Sequence, residues 1–297
     1  MINILKNRIL FILFLFAIIL YSCQKEKLSN KSIDFTKEFM FTEGIEGPAV
    51  DSQGNLYAVN YKKDGTIGIV NKKGESTLFA TLPDGSIGNG MRFDKGDNMY
   101  IADYTKHNIL RIKKGTTEAI VYAHDPILNQ PNDIAISPNG TLYASDPNWE
   151  KETGNLWMVS DGKFILLEKN MGTTNGIEVG PNGKKLYVNE SAQRNIWVYD
   201  IESDGTVNNK KLFKSFTNFG MDGMRCDIRG NLYVCRYDKG TVVVLSPNGE
   251  IIREITLKGK KPTNIAFGGK DKKQCFITVS DRGCFESFFA EYPGRSF

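Results

Sequence analysis

Between residues 46 and 280 the chain alternates short apolar runs with clusters of Asn, Asp, Ser, Pro and Gly, and the alternation is periodic. Six segments align: EGPAVDSQGNLYAVN (46–60), NGMRFDKGDNMYIAD (89–103), NDIAISPNGTLYASD (132–146), NGIEVGPNGKKLYVNE (175–190), DGMRCDIRGNLYVCR (222–236) and NIAFGGKDKKQCFITVS (264–280). Their starts lie 43, 43, 43, 47 and 42 residues apart, the length of one four-stranded propeller blade. In each unit an apolar run, a turn such as Ser137-Pro138-Asn139-Gly140 and a second run such as Leu142-Tyr143-Ala144 predict a β-hairpin. Two more strand-like runs follow in most units, at 67–70 and 76–80, 156–159 and 164–167, and 242–245 and 251–257. The pattern predicts an all-β, six-bladed propeller with four-stranded blades over residues 32–297. After residue 264 only three strands remain, the last at about 284–292, so residues 32–42 are expected to supply the fourth and close the ring.

Repeats around an axis bring equivalent residues onto one circle, and the first column of the alignment reads Glu46, Asn89, Asn132, Asn175, Asp222 and Asn264. Asn and Asp also begin strands and shape turns. That role accounts for polarity, but not for a ring made only of side-chain oxygen donors with two carboxylates among them. Two anions crowded into a partly dehydrated channel are costly without a compensating charge, and a divalent cation supplies one. Carboxylate and amide oxygens without His or Cys suit a hard cation, calcium more than magnesium with its strict octahedron. Only His107 and His124 occur in the chain, and no CxxC has zinc spacing.

The column and its flanks resemble the regucalcin/gluconolactonase (senescence-marker-protein) family, with diisopropyl fluorophosphatase a more distant relative. The matching stretches are EGP at Glu46, PND at Pro131 to Asp133, NGIEVGPNGKKLYVNES from Asn175, MDGMRCDIRGNLYV from Met221 and TNIAFGGKDKK from Thr263. The resemblance implies calcium-dependent, sometimes zinc-dependent, hydrolysis of a small lactone, often a sugar lactone. It implies Glu46, Asn175 and Asp222 as direct metal ligands, with Asn132 touching the metal, a bound water or the substrate. A cation polarises an ester carbonyl and lowers the pKa of a bound water. Asp222 is the expected base and Asp133 the weaker choice, its repeat position pointing away from the channel. Gln130 stands where some sugar lactonases of the family carry Arg, which weakens the case for an aldonolactone in particular. Asn89 and Asn264 share the ring without matching the family's ligands.

The ends of the second strands, Asn60, Asp103, Asp146, Glu190, Arg236 and Ser280, are expected at the pocket mouth. Tyr61, Tyr104 and Tyr237 follow three of them, and the loop 147–154 with Trp149 is a candidate lid. Substrate contacts are therefore expected from Asn89, Gln130, Asn132 and Asp146. No GxSxG elbow, Walker loop or dinucleotide fingerprint occurs, so covalent catalysis is disfavoured and no organic cofactor is expected. A non-enzymatic binding propeller and a phosphotriesterase-like side activity are the competing functions.

The N-terminus changes the cellular picture. Lys6 and Arg8 precede the apolar run 9–21, which is short of the ~20 residues that span a bilayer. Leu20-Tyr21-Ser22-Cys23 resembles the bacterial lipobox, so residues 1–22 read as a lipoprotein signal peptide, Cys23 as the acylated residue and 23–31 as a linker. The expectation is a monomer in the bacterial cell envelope that meets the membrane only through its lipid. The formal charge of +4 falls to about +2 without Lys6 and Arg8, and no basic patch points to nucleic acid. Cys226, Cys235, Cys275 and Cys284 allow two disulfides in three connectivities, among which the sequence does not choose.

Overall fold

The computed structural model describes residues 28–295; the expected signal peptide and acylation site at Cys23 lie outside them. Six four-stranded antiparallel sheets follow one another along the chain as blades around a central channel. Their innermost strands are Phe41–Val50, Gly88–Phe93, Ile134–Ile136, Thr174–Val179, Met224–Cys226 and Pro262–Gly268. The strands predicted at 67–70, 76–80 and 242–245 are Thr66–Val70, Ser76–Thr81 and Thr241–Leu245. Those of the third blade run longer, as Thr153–Ser160 and Lys163–Met171.

Each hairpin turn is set by a side chain that satisfies its own backbone. The Asp51 carboxylate accepts from the N–H groups of Gln53 and Asn55, Asp94 from Gly96 and Asn98, and Asp227 from Arg229 and Asn231. Apolar residues of facing sheets fill the space between blades, as where Val59 and Ala80 of the first blade pack with Met91 and Ile101 of the second.

The sixth blade closes as expected. Its strands Pro262–Gly268, Gln274–Val279 and Cys284–Phe289 are joined by Ile33–Asp34, with Ile33 opposite Ser287 and Asp34 opposite Glu286. The Ser32 hydroxyl donates to the buried Glu286 carboxylate, and the Thr36 hydroxyl accepts from the Phe285 N–H, so the chain ends are stitched by side chains as well as by the ladder. The grip begins before residue 32: the Arg253 guanidinium donates to Asn30 Oδ1 and to the Ser29 carbonyl. Cys226, Cys235, Cys275 and Cys284 are unbridged thiols buried as small apolar core residues of the last two blades. Burial pushes the Cys284 thiol up to about 12.

Candidate functional site

The innermost strands approach one another closely where glycine follows a ring residue, as at Gly47, Gly90, Gly176 and Gly223. A Cβ on Gly176 would lie 2.2 Å from the Asp222 carbonyl oxygen, and one on Gly223 would lie 2.0 Å from Asn264 Oδ1. Gly176→Ala is therefore expected to displace the Asp222 backbone and cost about 1–3 kcal/mol. A lower denaturation midpoint at unchanged slope checks this.

A second repeated device holds the loops that lead into the ring. Asp146 is fully buried, and its carboxylate accepts from the N–H groups of Asn129 (2.8 Å) and Gln130 (2.7 Å) and from Trp157 Nε1 (3.0 Å). At the same repeat position Asp103 accepts from Ser86 Oγ and Asn108 Nδ2, Glu190 accepts from the Gly172 N–H, and Arg236 donates to the Gly220 carbonyl. This corrects the expectation for Asp146, Asp103, Glu190 and Arg236. Their charged groups are consumed by backbone latches and do not face the pocket. Asn60 and Ser280 latch too, donating to the carbonyls of Gly44 and Glu43, but both still line the cavity.

That cavity, of about 820 Å³, opens at one end of the channel. Glu46, Asn89, Asn132, Asn175 and Asp222 line its floor, and Gln130 stands beside them. Tyr104, Trp149 and Tyr237 contribute aromatic wall, while Tyr61 is turned into the core. The ring is short of partners. The Oδ1 atoms of Asn89 and Asn175 are buried without a hydrogen bond. Glu46 accepts from Asn264 Nδ2 at 3.0 Å and from the Gly47 N–H. Burial, and then the Asp133 carboxylate, push the Glu46 carboxyl up to about 7. Burial and the nearby Glu46 push Asp222 well above the carboxylate range, against the bond from the Asn175 amide. Two repelling carboxylates with unpartnered amide oxygens beside them fit a hard divalent cation. Among the described residues no three His, Cys, Asp or Glu side chains cluster as metal ligands, so amide oxygens must complete the donor set.

One ring residue stands elsewhere than expected, and Asp133 keeps out of the cavity as its repeat position implied. Asn264, expected on the ring, does not line the cavity; its Nδ2 donates to Glu46 and holds that carboxylate in place. Asp133 sits below the ring, where it accepts from Arg92 Nη1 at 3.1 Å. Beneath the ring lies a buried layer that sequence reasoning missed. Arg92 also reaches Glu178 (3.6 Å), Arg225 lies 3.8 Å from Asp133, and Arg295 binds Glu178 at 2.8 Å. The available signal was the Met-Arg pair that follows Asn89-Gly90 and Asp222-Gly223 alike.

The family model described as the SMP-30/Gluconolactonase/LRE-like region matches residues 45–281. A gluconolactonase of Zymomonas mobilis is 28% identical over 218 residues, 65% of this chain and 60% of that protein. The chain thus spans about three fifths of that relative's length. Diisopropyl-fluorophosphatase of Loligo vulgaris is 26% identical over 294 residues, 88% of this chain and 93% of that one. Among solved structures, regucalcin of Agrobacterium tumefaciens, described as a calcium-binding protein, superposes with a TM-score of 0.75 at 20% identity, covering 91% of this chain and 96% of that one. That likeness is one of fold.

Proposed function

The chain belongs to the SMP-30/Gluconolactonase/LRE-like family, and from that premise we propose that it hydrolyses a small lactone at the oxygen ring, with Glu46, Asn132, Asn175 and Asp222 holding a divalent cation. The observation that carries the reading is the pair of half-buried carboxylates, Glu46 and Asp222, beside the buried Oδ1 atoms of Asn89 and Asn175, which have no hydrogen-bond partner. A cation bound there would neutralise the pair and polarise the lactone carbonyl. The all-oxygen donor set favours calcium over magnesium or zinc.

The remaining steps belong to the protein. Asp222 accepts the proton of the attacking water, and the ring residues Asn89 and Asn132, with Gln130, hydrogen-bond the substrate. Tyr104, Trp149 and Tyr237 present aromatic faces to the ring of a small cyclic ester, and Trp149, 46% exposed at the tip of its hairpin, stands at the entrance. The gluconolactonase relative supports a lactone as substrate. The match to the fluorophosphatase over most of both chains favours phosphotriester cleavage as a second activity of the same ring.

A screen of five- and six-membered lactones against the purified chain tests the reading. Turnover that is lost on chelation and regained with calcium is expected. Equal rates with and without chelator, or no turnover at any metal, would leave a binding propeller instead.

For the cell, we propose attachment of the propeller to the bacterial envelope through lipid on Cys23, on the strength of the short apolar run and the lipobox-like Leu20 to Cys23. Cys23→Ala is expected to abolish metabolic lipid labelling. Unchanged labelling would contradict the assignment.

A further inference from the structure

The layer beneath the ring has a symmetry that its sequence only hints at. Arg92 and Arg225 occupy the same position in the second and fifth blades, which face each other across the channel. Each donates from Nη1 to the carbonyl of the methionine before it, Met91 at 3.0 Å and Met224 at 2.8 Å. Each then spans the next two blades. Arg92 reaches Asp133 and the Ile177 carbonyl (3.3 Å), and Arg225 reaches Asn264 Oδ1 (3.0 Å) and the Pro48 carbonyl (3.3 Å). Together the two guanidiniums tie all six blades.

The two halves differ in what they hold. Arg92 ends on Asp133, outside the cavity, whereas Arg225 ends on the residue that grips Glu46. The oxygen of Asn264 is fixed by Arg225 and by the Ile265 N–H (2.9 Å), which leaves its Nδ2 facing Glu46 Oε2 at 3.0 Å. A cationic donor on the amide oxygen also strengthens the amide N–H as a donor. The side chains of Arg92 and Arg225 are only 8% and 10% exposed, so water is a poor substitute for either.

We propose that Arg225 is a positioning residue: through Asn264 it sets the orientation of Glu46 and thereby the affinity of the ring for a divalent cation. The inference rests on the reading of the ring as a cation site. Outer groups that orient metal ligands typically contribute about 10–100-fold in affinity.

The sign of the effect separates positioning from charge. Removing a buried guanidinium near a cation site favours cation binding by Coulomb's law. Positioning requires the opposite.

Calorimetric titration of calcium into the chelator-stripped chain gives the test. Arg225→Met is expected to weaken binding by about tenfold or more, and Asn264→Ser by a similar factor. Combining the two should cost no more than about twofold beyond either alone, because both break one relay. Arg225→Lys keeps the charge without the fork and should not restore affinity. Arg92→Met, on the matching arginine that holds no ring residue, should leave affinity equal or higher. Should Arg225→Met fail to fold, Asn264→Ser carries the same expectation without stranding a buried charge. Wild-type affinity in either Arg225→Met or Asn264→Ser would overturn the relay while leaving the cation site standing. A wild-type chain that binds no divalent ion would overturn both.

Discussion

Asp222→Asn is expected to cut lactone turnover by roughly 100-fold or more at saturating calcium, the usual scale for loss of a general base, while KM changes far less. The substitution keeps the shape of the side chain and one oxygen facing the ring, so the channel stays packed. It removes the charge and the proton acceptor. Asn189 Nδ2 still donates to the backbone carbonyl of residue 222 (2.6 Å), so the strand that carries the side chain is held as before. A fall in kcat with little change in KM, read from initial rates, separates loss of the base from loss of substrate binding. A loss of less than about threefold would show that another group takes the proton.

The Glu46→Gln, Asp222→Asn double variant is expected to melt a few degrees above the wild type when both are stripped of metal. In the apo chain burial raises both carboxyls, Asp133 adds to the shift of Glu46 and Glu46 to that of Asp222, and no cation faces them, so neutral amides of equal size relieve desolvation and repulsion together. Calcium should reverse the order. At a concentration 100 times its dissociation constant it adds about 2.7 kcal/mol to the wild type, or roughly 5–10 °C for a chain of this size, and nothing to the variant. Calorimetric scans of both proteins, with chelator and with calcium, check the crossing. Parallel shifts on adding calcium would place the ion elsewhere.

The propeller and the membership of the ring were legible in the sequence because rotation turns a column of an alignment into a circle. Glu46, Asn89, Asn132, Asn175 and Asp222 needed only the 42–47-residue period to be brought together. The strand ends were misread for a physical reason. Their position at the channel mouth is right, but the loops entering the next strands run over them and claim their hydrogen bonds, so Asp146 ends fully buried beneath Asn129 and Gln130. Asn264 was misplaced because the last repeat was read one residue out of register: Pro262-Thr263-Asn264-Ile265 matches Pro131-Asn132-Asp133-Ile134, so Thr263 lines the cavity and Asn264 takes the place of Asp133 under its arginine. Arg92 and Arg225 stood three residues after ring positions and were visible as a pair, but alternation along a strand does not say that both turn inward under the floor. The cysteines show the limit from the other side: their number suggested bridges, and packing uses them as core residues instead.

In the proposed site the oxygen ring binds one divalent cation through its two carboxylates. Elemental analysis of the desalted wild-type chain beside the Glu46→Gln, Asp222→Asn variant tests it most directly. One divalent ion per wild-type chain and none in the variant is the predicted result, and full occupancy in the variant would contradict it.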